Sequence, residues 1–259
     1  MRSPKTNWTD HTFWPWTDTP RISSHCDYRY DESIVDEFRR RGLSADGKRV
    51  RASEAIWHEP LLWNERAQKQ DVRRRVLFTC ADNLCDETLP PRWRADLFRL
   101  VDRTRRLDWL FLTERPENLS KMLPLAIEGL RPWPWRNVWL GTTATDQNDF
   151  DRRWATLSKI PAAVRFISYE RPVGGLVLPV RGPVPDWVIC GGETSAKSRV
   201  FERQWARNLM HDCRDHDVPF FMKPMTKKAE IPRDLLLREF PRGRLKRFGS
   251  SGSDDARRD

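Results

Sequence analysis

The residues of this chain that can do chemistry stand in short polar clusters, each at the end of an apolar run. Cys80, Asp82, Asn83 and Cys85 follow RVLFT, and Thr113, Glu114 and Arg115 close DWLFL. Thr142, Thr143 and Gln147 follow NVWLG; Ser168, Tyr169 and Glu170 close VRFI; Gly191, Gly192 and Glu193 follow DWVIC; Lys223 follows VPFFM. Gly191 and Gly192 allow backbone N–H groups to approach a ligand, and Glu193 can accept hydrogen bonds from an ammonium group or a ribose hydroxyl. The competing reading is a tight turn with a solvated glutamate. Glu170 and Lys223 are candidates for acid, base or ligand contact, because burial at a strand end perturbs a pKa. A buried structural ion pair accounts for them as well. Cys80 and Cys85 around Asp82 contain zinc-ligating types, but C-x4-C is not the close pair a metal loop uses, and buried thiols pack as small apolar groups.

The elements that must position these groups are the apolar runs themselves, at 75–79, 108–113, 137–142, 164–168, 186–190 and 218–222. Each has the length of a buried strand, and most of the intervals carry a helical pattern, the alternation of repeated strand–helix units in a parallel sheet. Trp93, Leu97, Leu100 and Val101 form one apolar helical stripe, and Trp205, Leu209 and Cys213 another. Six units are too few for an eight-stranded barrel. The expected fold is α/β, a six-stranded partial (β/α) barrel with mostly parallel strands and an N-terminal cap; a doubly wound sheet is the alternative. In either, loops at the carboxyl ends of the strands converge on one rim, so every strand end delivers its polar group to a common mouth. The expected division is a cap over residues 1–70, the partial barrel over 71–240 and a disordered tail over 241–259. A short helix is expected around Ile34, Val35 and Phe38.

Composition narrows the classes of function. No run reaches the roughly 18–20 apolar residues of a membrane helix, and no apolar signal segment opens the chain, so a cytoplasmic protein without membrane contact is expected. Five scattered cysteines, Cys26, Cys80, Cys85, Cys190 and Cys213, form no disulfide framework, and Cys190 and Cys213 fall on core positions. A formal charge of +10 favours anionic partners, nucleic acid among them, although arginine is spread as on a solvated surface. Trp8, Trp14, Trp16, Trp57 and Trp63 can stack exposed bases or, by their large area, staple a cap onto a barrel.

The ordered segments WTDHTFWPW, RASEAIWHEPLLWN, LTERPEN, NVWLGTTATDQ, PAAVRFISYE, DWVICGGE and VPFFMK, from about Asn7 to Lys223, resemble the phage gene-product-37/gene-product-68 family, a family of unknown function that looks related to radical S-adenosylmethionine enzymes. The resemblance implies a C-x6-C-x2-C motif that holds a four-iron four-sulfur cluster and leaves one iron for S-adenosylmethionine. Its three positions here are Thr19, Cys26 and Arg29. Neither a hydroxyl nor a guanidinium replaces a thiolate on iron, so Cys26 is the one weak metal candidate, with His25 and Cys80 or Cys85 as conceivable partners. Asp18, Asn83 and Glu114 also depart from the family pattern. Glu170, Gly191, Gly192, Glu193, Arg199 and Lys223 match it, and the last four glycine and charged positions before Lys223 are the expected cofactor-binding or ligand-binding set. The expectation is a divergent member without the cluster, acting as a ligand-binding or accessory protein. The alternatives are a radical S-adenosylmethionine-like enzyme with an atypical cluster, acid–base work by Glu170 and Lys223, or nucleic-acid binding.

Overall fold

The structure, a computed structural model, describes residues 8–16, 49–78, 89–124, 129–193, 199, 201–225 and 229–241. Every expected strand is present: β2 (Arg74–Phe78), β3 (Leu107–Thr113), β4 (Val138–Ala144), β5 (Val164–Glu170), β6 (Trp187–Gly191) and β7 (Phe220–Met222). A seventh, β1 (His11–Phe13), precedes them and corrects the expected count of six. It lies within the stretch assigned to the cap and pairs with β2 from His11↔Val76 to Phe13↔Phe78. The sheet runs in sequence order, β1 to β7, with every ladder parallel, and curls into a half-barrel.

Among the described residues five helices cover one face: α1 (Glu54–Lys69), α2 (Pro91–Arg103), α3 (Pro116–Met122), α4 (Gln147–Leu157) and α5 (Arg203–Asp215). Period-2 alternation divides the strand residues between two cores. Val76, Phe78, Trp109, Phe111, Leu140, Tyr169, Val188, Cys190 and Phe220 pack beneath the helices. Leu110, Trp139, Phe166, Trp187, Ile189 and Phe221 face the concave side, where Trp8 joins them. The helical stripes bury as their spacing predicts, with Leu97, Leu100 and Val101 on α2 and Leu209 and Cys213 on α5 all inside.

The early tryptophans are mostly packing residues. Trp8, Trp16, Trp57 and Trp63 are buried, Trp14 is half-buried, and Phe13 meets Trp57, Trp63 and Trp109 edge-on. Many arginines are likewise tied to carboxylates within the fold, as in Arg73–Asp108, Arg74–Asp10, Arg165–Asp186 and Arg207–Asp234. The helix expected near Ile34 and the residues from 242 onward lie outside the described residues, and no described helix is long and apolar enough to cross a membrane.

Candidate functional site

The mouth is built on one row of residues across three strands. Glu170 ends β5 opposite Gly191, and Cys190 stands opposite Met222, so the register sets Gly191 between Glu170 and Lys223. All three belong to the concave face by alternation, and Gly191 has no side chain to separate its neighbours. The Lys223 side chain crosses over it: a Cβ at position 191 would lie 2.9 Å from the Lys223 Cβ. The Lys223 Nζ thereby reaches Glu170 Oε2 at 2.5 Å, while the Ser168 hydroxyl, two residues back on β5, donates to Glu170 Oε1 at 2.6 Å. Beneath the ammonium lies the indole of Trp8, with Nζ 5.3 Å from its ring centroid, a cation–π contact. The Trp8 Nε1 is buried and has no hydrogen-bond partner among the described residues.

The electrostatics follow from this packing. Burial alone would raise the Glu170 carboxyl, but the Lys223 ammonium and its hydrogen bond, the Ser168 hydroxyl and the nearby Arg171 outweigh burial and hold it below the usual carboxylate range. Glu193 follows the same pattern. Its burial is offset by Arg199, whose backbone N–H donates to Oε2 at 2.8 Å and whose guanidinium donates to Oε1 at 2.8 and 2.6 Å. The pair joins two positions six residues apart in the chain. The Gly192 N–H donates to Pro224 O at 3.3 Å.

The strand-end groups named from the sequence do not all reach this mouth, because alternation sends half of them to the helix side. Tyr169 faces the helices, where its hydroxyl donates to Gly174 O and burial pushes its pKa up. Thr142 is buried and donates to Thr113 O at 2.8 Å. Gln147 is tied to the loop after β5, its Oε1 accepting from Val177 N at 2.8 Å. Thr143 Oγ1 accepts from Arg153 Nη1 at 2.6 Å. Two residues beside the mouth were not placed there by the sequence. Trp8 reads there as part of a cap and in fact fills the concave interior; Arg171 carries its guanidinium 4.0 Å from Glu114 at the end of β3.

A cluster held by thiolates does not fit the described residues. Cys190 and Cys213 are wholly buried on the helix side, and burial raises both thiols, so neither offers a thiolate to the mouth. Among the described residues no three His, Cys, Asp or Glu side chains converge as a metal site. Cys26, with Thr19 and Arg29 at its flanking motif positions, lies outside the described residues, as do His25, Cys80, Asp82, Asn83 and Cys85.

Fold and site together define an α/β half-barrel with a charged, hydrogen-bonded mouth at the carboxyl ends of its strands. The chain belongs to the family described as protein of unknown function (DUF5131), whose family model matches residues 3–239. No curated protein and no solved structure matches it.

Proposed function

We propose that this protein is a ligand-binding or accessory protein whose ligand enters the concave mouth beside Glu170, Gly191 and Lys223, and that it works without an iron–sulfur cluster. The observation that carries the reading is the pairing of Glu170, with one oxygen held by Lys223 and the other by Ser168, partners that hold its carboxyl below the usual range against the effect of burial. A carboxylate so held is a weak base near neutral pH, since an efficient general base has a pKa close to the working pH. An ordered pair of opposite charges suits recognition of a polar ligand instead. A purely structural ion pair is the rival account. Against it stands the location, on the face where half-barrel loops converge.

The test is a calorimetric and thermal-shift screen of polar metabolite-like compounds, uncharged, anionic and cationic, on the wild-type chain and on Lys223→Met. A compound that binds the wild type saturably and loses at least tenfold in affinity on Lys223→Met supports the reading. Binding unchanged by Lys223→Met, or no binding at all, counts against it. Iron and sulfide content after anaerobic reconstitution, beside Cys26→Ala, tests the second half. Stoichiometric iron that disappears in Cys26→Ala would return the protein to the radical-enzyme class; absence of iron from both supports the cluster-free reading.

A further inference from the structure

The arginines of this fold are unevenly answered. Arg73, Arg74 and Arg207 each meet a carboxylate. Arg92, Arg103 and Arg136 are exposed, and their side chains make no ion pair or hydrogen bond among the described residues. Two of these lie on α2. At 3.6 residues per turn, Arg92, Arg99 and Arg103 fall within an arc of about 40° along a line of about 16 Å, opposite buried Leu97 and Val101. The Arg99 side chain is 55% exposed, its guanidinium 3.4 Å from Asp96. Arg105, also exposed, follows in the turn after the helix. Arg136 adjoins the C-terminal end of this line, because the residues on either side of it are anchored to α2. Trp135 packs edge-on against Phe98, and Asn137 Nδ2 donates to Val101 O at 2.9 Å. Arg131, donating to Asp102, ties down the same loop.

The needs of the helix explain only part of this charge. A cation at the C-terminal end, such as Arg103, is favoured by the helix dipole. Arg92 stands in the first turn, where the dipole disfavours it, and no acidic residue accompanies it there. Nor is this the even mixture of a solvated surface. α3 and α4 carry acids and bases in equal number, α1 has one acid in excess and α5 one base. From Arg92 to Arg106, α2 and its following turn hold six arginines against two aspartates. A guanidinium is a planar fork of donors that matches the paired oxygens of a phosphate. In the same loop as Arg136, Trp133 is half-buried and pinned by its indole N–H, which donates to Pro161 O at 2.7 Å. The exposed part of its ring can stack on a base.

We propose that the outer face of α2 and the 129–137 loop bind a nucleic-acid strand through its phosphates. Guanidiniums beside an aromatic ring favour that partner over an acidic protein surface, which offers carboxylates but no bases to stack. The face lies on the convex, helical side and does not depend on the concave mouth.

The experiment measures fluorescence anisotropy of a labelled mixed-sequence oligonucleotide, as single strand and as duplex, with the full chain at increasing salt. Affinity is expected to fall log-linearly with salt concentration. In the triple variant Arg92→Gln, Arg103→Gln, Arg136→Gln it is expected to drop tenfold or more at low salt. The slope should become shallower by about 2–3, the share of three phosphate contacts at about 0.7–0.9 each. A matched triple variant, Arg181→Gln, Arg203→Gln, Arg214→Gln, removes the same charge from exposed positions elsewhere and is expected to keep the slope. Lys223→Met is expected to bind as the wild type does. Absence of salt-dependent binding by the wild type, or equal losses in the two triple variants, overturns the proposal. Displacement by poly-glutamate as effective as by unlabelled oligonucleotide overturns it too and assigns the face to an acidic protein. A loss confined to Lys223→Met also overturns it, since the strand would then occupy the mouth.

Discussion

A methyl group at position 191 would stand between the two side chains that define the mouth. The Cβ of Gly191→Ala meets the Lys223 Cβ at 2.9 Å, which is backbone-proximal and has little room to move. The expected cost is about 1–3 kcal/mol, that of overpacking a close contact, read by urea denaturation. Gly175→Ala is the matched control, since its nearest neighbour would be Trp205 Cδ1 at 3.6 Å, an ordinary contact, and it is expected to be close to neutral. Glu170 gives a second expectation. Its folded pKa lies below the ordinary glutamate value of 4.5, so the unfolded chain binds more protons just below that pH. The stability Glu170 contributes is therefore fully present above about pH 4.5 and is lost as pH falls through the folded pKa. The stability gap between wild type and Glu170→Gln should narrow as urea unfolding is repeated from neutral pH down to about pH 3. A gap that widens on acidification would show that the carboxyl is not held ionised by Lys223.

At the scale of elements, the sequence made visible what was long and periodic. Six strands read as apolar runs because both of their faces are buried, and α2 and α5 read as stripes because one face of each packs on the sheet. β1 was missed because three residues, His11, Thr12 and Phe13, are too short to establish a period. The polar rim was legible as a set but not as pairs, since whether Tyr169 or Glu170 faces the mouth depends on the register of β5 against β6. One connection departs from the strand–helix repeat: between β5 and β6 the chain RPVGGLVLPVRGPVPD forms no helix, as its prolines and glycines dictate. Buried Leu176 and Leu178 cover the sheet there in place of a helical face, and the Trp154 indole fixes the loop by donating to Pro183 O at 2.7 Å. The neighbouring helix α4 starts at the rim through Asp146, whose Oδ1 accepts from Asp149 N–H at 2.9 Å. Asp146→Ala should cost about 1 kcal/mol in chemical denaturation, the usual worth of an N-cap. A neutral result would mean that the loop after β5 holds the start of α4 without the cap.

For the whole molecule, the open side of a half-barrel poses a problem that a closed barrel does not have, because its concave core must be covered from elsewhere in the chain. Trp8 enters from the N-terminal side and packs on Phe166 and Trp187. At the opposite end a strap from the C-terminal side lies along β7: Met222 N–H bonds Leu237 O, Glu239 N–H bonds Phe220 O, and the Trp187 indole donates to Glu239 O at 2.9 Å. Phe240 then seals the floor between Phe221, Trp187 and the Arg75 guanidinium, which sits 3.7 Å from its ring centroid. Nothing in the spacing of Leu237 and Phe240 marks them as core, because an irregular strap has no period. Phe240→Ala should cost about 2 kcal/mol, less than the 3–5 of a fully buried phenylalanine since this ring is half-buried. Leu236→Ala, at an exposed position of the same strap, should cost little. The floor and the mouth are separated along the strands by the aromatic layer of Phe166, Trp187 and Trp8. Phe240→Ala should therefore lower the denaturation midpoint while leaving any Lys223-dependent ligand affinity as in the wild type. Loss of that affinity together with stability would mean that the concave core moves as one body and that the strap helps to shape the mouth it does not touch.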